Sequence, residues 1–372
     1  MKVSDIIRAL ESLAPPSLAA EGDNVGLTVG DPSANVTKLL LCVDLTEPVL
    51  AEAAAARAGM VMSYHPVIYR PVHRVTATDA PMAYAAARRG LAVYSVHTAL
   101  DAAPGGANDA LAEIMGLRNC RPLEPLVRRD QCKLVAFVPP EDLSRVADAA
   151  FAAGGGRIGK YHDCAFFSHG IGAFCGGPGT HPKIGHSGEH EATEEIRLEL
   201  VAARSCVDEV CAAMRAAHSY ETPAIDVYPL EDYPDGCGLG RVGKPTPPVS
   251  ASVLITRIKK ATGLKRVLVA QPPTRGRRAK AARRVATAAC CAGACGSLFG
   301  RAIEAGATFY LTGEMRHHDA LAATRGGMTV VCLGHSNSER IALAHLADGL
   351  KQMLPKLKVA VSKSDSDPFE IA

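Results

Sequence analysis

Short apolar runs alternate with Ala-rich stretches of helical spacing along the first part of the chain. The runs at 38–43 (KLLLCV), 61–63 and 91–96 read as strands, and stretches such as 52–59 between them read as helices. That βα alternation predicts an α/β layer. From Cys132 the rhythm changes. A run KLVAFV is followed by a helical stripe on Leu143, Val146, Ala147 and Ala150 and by runs at 164–174 and 196–202. A second stripe on Val207, Val210, Cys211 and Met214 then leads to a run at 224–230. The order β-α-β-β-α-β is that of a ferredoxin-like α+β unit. Beyond 247 the first texture returns, with a helix predicted over 250–262, runs at 266–270, 308–311 and 328–333, and a closing helix from about Ser338 to Met353. The chain therefore reads as an α/β domain of two related halves, 1–128 and 233–372, interrupted by an α+β insert at 129–232. The stretch 231–246 (EDYPDGCGLGRVGKPT), rich in Gly and Pro, reads as the return linker.

Composition narrows the function classes. A length of 372 residues leaves room for two or three domains, and 48% hydrophobic with 21% charged residues excludes a disordered chain. With no Trp and 5% aromatic residues the core must be mostly aliphatic. A net charge of +3 is too balanced for electrostatics alone to hold the molecule on nucleic acid or a membrane, and no apolar stretch reaches the ~18 residues of a spanning helix. The opening MKVSDIIRALESLAPP has acids where a signal peptide would be apolar, so a cytoplasmic location is expected, with the nucleus as an additional one. The 12 Cys form no C-x-x-C pair and read as reduced thiols, including the tight set Cys290, Cys291 and Cys295.

Three motifs invite chemistry that their context withholds. Gly238, Gly240 and Gly243 match G-x-G-x-x-G, but Pro245, Pro247 and Pro248 follow where a phosphate cradle needs a helix N-terminus. The basic run Arg275, Arg277, Arg278, Lys280, Arg283 and Arg284 has no interleaved aromatic residues and reads as a solvated helix face rather than a nucleic-acid surface. His162, His169, His181, His186 and His190 lie in the insert, where GHSGEHE at 185–191 offers a His-x3-His pair beside Glu189 but reads as an exposed loop.

The stronger signals fall at the C-terminal ends of apolar runs, where open α/β sheets place their ligands. VMSYHPVIY at 61–69 puts His65 at a strand end before Pro66, and VYSVHTALD at 93–101 puts His97 and Asp101 beyond another. FYLTGEMRHHD at 309–319 carries His318, and TVVCLGHSNSER at 329–340 carries His335 with Glu339 four residues on, on one helical face. Imidazoles with carboxylates suit two borderline divalent metals better than a structural zinc, which favours thiolates.

At these residues the chain resembles the YbgI/YqfO-type proteins, also called NGG-one-interacting-factor-three-like or GTP cyclohydrolase I type 2-like. The resemblance runs through EGDNVGLTVGD (21–31), CVDLT (42–46), SYHPVIYRPVHRVT (63–76), VHTALDAAPGGAND (96–109), GLGRVG (238–243), TGEMRHHDAL (312–321) and GHSNSER (334–340), nearly the whole chain. The insert similarly resembles the PII/CutA-like insert of the longer members. The resemblance implies a dinuclear metal site in each subunit of a ring-like homohexamer. Its ligands fall on His65, Asp101, His335 and Glu339, with Asp101 or Glu339 as the bridging carboxylate. Many bacterial members have His where this chain has Tyr64, so Tyr64 as a phenolate, His97 or His318 are further candidate ligands. Two divalent ions are expected, of Zn, Mn, Fe, Co or Ni. They would activate a water for hydrolysis of a nucleotide-like or related small substrate such as GTP, with Glu339 or His97 moving the proton. The alternative is a non-enzymatic metal-binding regulatory or scaffold protein whose partners include transcriptional regulators.

Overall fold

The computed structural model describes residues 1–273 and 284–369. Most of the basic run, from Arg275 to Arg283, lies outside the described residues; Arg284 is exposed in a short strand. The chain forms two compact units, Met1–Leu126 with Asp235–Ala372, and Val127–Pro234. No helix among the described residues is long and apolar enough to cross a membrane.

The first unit begins with α1 (Val3–Leu13), β1 (Gly26–Val29), β2 (Lys38–Cys42), α2 (Glu47–Ala55), β3 (Met60–Ser63), α3 (Pro81–Arg88) and β4 (Ala92–Ser95). It continues through α4 (His97–Ala102), α5 (Ala107–Met115) and β5 (Leu117–Pro125). The second unit is β6 (Gln131–Val138), α6 (Leu143–Ala152), β7 (Ala165–Cys175), β8 (His190–Ala203), α7 (Val207–Ala217) and β9 (Ile225–Pro229). The chain returns to the first unit with β10 (Gly238–Pro245), β11 (Val249–Ser250), α8 (Ala251–Thr262), β12 (Leu268–Ala270), β13 (Arg284–Val285) and β14 (Ala288–Cys291). It closes with α9 (Phe299–Glu304), β15 (Phe309–Thr312), α10 (His317–Arg325), β16 (Thr329–Cys332), α11 (His335–Met353) and β17 (Lys358–Val361).

Two sheets organise the first unit. One has the order β1-β4-β3-β2-β17, parallel from β4 to β17; the other has the order β12-β16-β15-β14-β10-β5, parallel from β14 to β16. The parallel strands are apolar on both faces because helices cover both. Leu39 and Leu41 of β2 point into a core shared with α1, α5, α8, α11 and the inner face of the second sheet, while Leu40 packs outward on α2. The sheets also exchange strands: β17, the last in sequence, pairs with β2, and β5 pairs with β10. The second unit is an antiparallel sheet of order β7-β8-β6-β9 with α6 and α7 packed on one face, the ferredoxin-like arrangement expected of the insert.

Three local expectations need correction. The first helix after β2 runs over Glu47–Ala55 rather than 52–59, because Pro48 fixes the φ of its opening turn. The closing helix begins at His335, three residues before Ser338, so His335 lies inside the helix instead of just before it. The Gly-rich stretch read as a linker is strand β10, paired on both sides. Glycine at 238 is required there: its φ is +143°, and a Cβ would sit 2.2 Å from the Glu124 carbonyl oxygen.

Strand β10 also carries Arg241, the largest fully buried side chain. Its guanidinium donates to both carboxylate oxygens of Asp109 on α5, each at 2.8 Å, and to the carbonyls of Ala103, Gly238 and Gly240. Burying that charge is tolerable only because every donor direction is used. Asp109→Ala should lower stability to urea by about 2–3 kcal/mol, near the low end for buried pairs because Asp109 keeps 32% of its side chain exposed. The double variant Arg241→Met/Asp109→Leu should recover most of that loss. A loss under ~0.5 kcal/mol in the single variant would mean that the pair does not hold α5 in place.

Candidate metal centre

The C-terminal ends of parallel strands from both sheets meet at one point. Strand β3 ends at Ser63 and delivers Tyr64 and His65, β4 leads into His97 and Asp101 on α4, and β16 leads into His335 and Glu339 on the first turns of α11. Buried Asn108 ties the halves together at this level, donating to the Asp101 carbonyl at 2.8 Å and accepting from the Ala292 N–H at 2.9 Å. The Ser338 hydroxyl accepts from the Gly293 N–H at 2.8 Å and so holds the turn after β14 against α11.

Glu339 is at the centre, 3% exposed. Its Oε1 lies 3.2 Å from His335 Nε2, and its Oε2 lies 3.3 Å from His65 Nε2. The ligating atoms of His65, His335 and Glu339 all fall within 4.8 Å of one another. Each imidazole has a carboxylate on its other nitrogen. His65 Nδ1 meets Asp44 at 2.9 Å, His97 Nδ1 meets Asp23 at 2.7 Å, and His335 Nδ1 is 3.2 Å from Glu314. A carboxylate on Nδ1 keeps the proton there and leaves Nε2 as the coordinating atom, the usual setting of metal-bound histidine. Asp23 and Asp44 belong to EGDN and CVDLT, yet no spacing singles them out, since their imidazoles lie 74 and 21 positions away in sequence.

The remaining candidates stand around this group. Asp101 is not within the mutual reach of the three ligand atoms; it accepts the Tyr64 O–H, and burial pushes its carboxyl up to about 7. Tyr64 is fully buried, and burial together with the Asp101 and Glu339 charges holds its phenol well above the ordinary value, so it faces the site as a hydrogen-bond donor rather than a phenolate. The His97 ring stands edge-on to His65, with centroids 5.4 Å apart. His97 adopts φ +24°, a strained conformation fixed by its N–H to the Tyr64 carbonyl and by Asp23. His318 is exposed on α10 against His317 and does not join the group.

The donor set fits a divalent cation. Glu339 Oε2 is buried without an aligned hydrogen bond, an arrangement that costs stability unless something positive is bound there. A Cβ at position 293 would lie 2.8 Å from Glu339 Oε1, so glycine keeps the backbone clear of the carboxylate. Two imidazole nitrogens and a carboxylate suit borderline metals. Without a metal the same groups bind protons. Burial would lower His65, but the Asp44 hydrogen bond and the Glu339 carboxylate 3.3 Å away outweigh it and raise the imidazole to about 10. The bond to Glu339 raises His335, and the two imidazoles outweigh burial to hold Glu339 low. His65 is thus protonated near neutrality and must lose that proton to coordinate. Zinc binding at pH 7 should therefore release at least about one proton per chain, and apparent affinity should rise with pH until His65 titrates. Calorimetry in buffers of different ionisation enthalpy measures this; binding without proton release would contradict a protonated His65 in the metal-free site.

Comparison with known proteins agrees with this architecture. The profile of the Duf34/NIF3 (NGG1p interacting factor 3) family matches residues 1–368. A GTP cyclohydrolase 1 type 2 homolog of Halalkalibacterium halodurans is 32% identical over 99% of both chains. NIF3-like protein 1 of Bos taurus is 31% identical over 100% of this chain and 93% of its own. Among solved structures, a Bacillus cereus protein related to NIF3 is 31% identical, covering 100% of this chain and 99% of its own at a TM-score of 0.67. Matched along almost its full length in sequence and fold, the chain belongs to the Duf34/NIF3 family.

Proposed function

We propose that the strand-end cluster is a two-metal centre and that the protein is a metal-dependent hydrolase of a nucleotide-like or related small substrate. The observation that carries the reading is the buried Glu339 carboxylate, with one oxygen toward each of two imidazoles from different sheets and one of those oxygens lacking an aligned partner. His65, His335 and Glu339 would hold the first ion. Asp101, freed from its proton, would serve the second, with Tyr64 orienting it through the phenol O–H. Metal ions bound there supply a water acidic enough to attack at neutral pH.

The chain's own groups account for the rest. Glu339 would be committed to the metal alongside both imidazoles and so would not be free to act as a base. His97 has no Nε2 partner among the described residues and is oriented by Asp23, which favours it as the group that would move the proton. A cavity of about 960 Å³ opens beside His335, bordered by Glu314, Asn337, Leu268 and Phe369, and is large enough to seat a nucleotide-sized molecule. The name of the bacterial relatives makes GTP the first substrate to try.

Metal-loaded protein incubated with GTP and a panel of phosphoesters should show turnover. His335→Ala should abolish it, and His97→Gln should lower kcat by ~10²–10⁴ with metal content retained. Turnover that survives His335→Ala would assign the activity to another site. Saturable binding without turnover for any metal would favour the regulatory reading that the name NIF3-like protein 1 suggests.

A further inference from the structure

The insert contains a cavity of its own, of about 580 Å³, whose lining comes from residues 137–224 alone. Its floor is the sheet face turned away from α6 and α7. Leu198 and Leu200 of β8 point to the helices, so the alternate residues Glu195 and Arg197, paired with Gly170 and Ser168 of β7, point to the other side. Segments following β7 and α7 form its walls, and Phe137 and Phe174 make much of its lining apolar.

Glu195 on this floor is 8% exposed and faces Tyr220 of the wall but has no cationic partner among the described residues. The two cations that line the cavity are engaged elsewhere: Arg197 on Glu199 at 2.6 Å, and Lys183 on Glu141 at 2.6 Å and Asp142 at 3.3 Å. The Tyr220 hydroxyl is buried beside Glu195 without completing an aligned hydrogen bond. Both groups are nevertheless held firmly. A Cβ at position 172 would lie 2.1 Å from Glu195 Oε2, so Gly172 is the seat on which the carboxylate rests. Buried His218 accepts the Tyr220 N–H on Nδ1 at 3.0 Å and donates from Nε2 to the Phe137 carbonyl at 3.0 Å, and its ring lies 4.9 Å from that of Tyr220. A largely buried carboxylate held in place beside a buried phenol, with no cation among the described residues to pair with it, is a cost to the fold that a cationic ligand would remove.

We propose that this cavity binds a small, mostly apolar organic cation whose ammonium or amidinium N–H groups pair with Glu195 and Tyr220. Phe137 and Phe174 receive the apolar body, and the carboxylate on the floor repels anions of the same shape. The site is separate from the metal centre and does not depend on the hydrolase reading.

The test is titration of benzamidine into the full-length, metal-loaded protein by calorimetry, beside neutral benzamide and anionic benzoate. Benzamidine should saturate at one per chain, benzamide should bind at least ~10-fold more weakly, and benzoate should not bind. Glu195→Gln should weaken benzamidine at least ~10-fold with thermal transition and metal content unchanged. Tyr220→Phe, which keeps the ring against His218, should weaken it less and provides the test if the first variant fails to fold. Absence of saturable benzamidine binding, equal binding of benzoate, or unchanged affinity in the folded variants would overturn the proposal.

Discussion

A carboxylate with almost no solvent sits where two sheets end, and the rest of the first unit is arranged around satisfying it. Removing Glu339 from water costs far more than any single contact returns unless positive charge surrounds it. Imidazoles arrive from two directions, His65 from β3 and His335 from its own helix one turn away, each turned by a second carboxylate on the far nitrogen. Protons can fill the role only in part, since Oε2 still lacks an aligned donor. A cation that accepts both nitrogens and the carboxylate removes the deficit.

The fold supplies the necessary precision. Parallel strands end together, so side chains from β3, β4 and β16 reach the same level without long loops, and Asn108 fixes the offset between the halves. Arg241 anchors α5, the helix that carries Asn108, to β10, a strand paired on both sides. The strained His97 backbone is the kind of feature that survives where function requires a particular orientation.

Much of this was legible in the sequence. The two-residue and 3.6-residue periodicities identify both layers and the insert, because the parallel strands are uniformly apolar and the insert alternates. His65, His335 and Glu339 stand at strand ends, where the topology of open sheets concentrates ligands. The sequence was silent where contacts are long-range. Asp23 and Asp44 meet imidazoles across the fold, and β17 joins a sheet begun more than three hundred positions earlier, within a chain of 372. Strand β10 looked like a linker because its glycines serve close backbone approach, a need that composition alone does not distinguish from flexibility. Tyr64 is a candidate ligand by position, but its burial against Asp101 makes it a hydrogen-bond donor to that carboxylate.

The most direct test is elemental analysis of protein purified without chelator, with Glu339→Ala and His318→Ala variants prepared alongside. About two divalent ions per chain are expected in the wild type and in His318→Ala, and Glu339→Ala should lose at least the ion that His65, His335 and Glu339 would hold. Unchanged metal content in Glu339→Ala, or no metal in reloaded wild type, would contradict the two-metal centre.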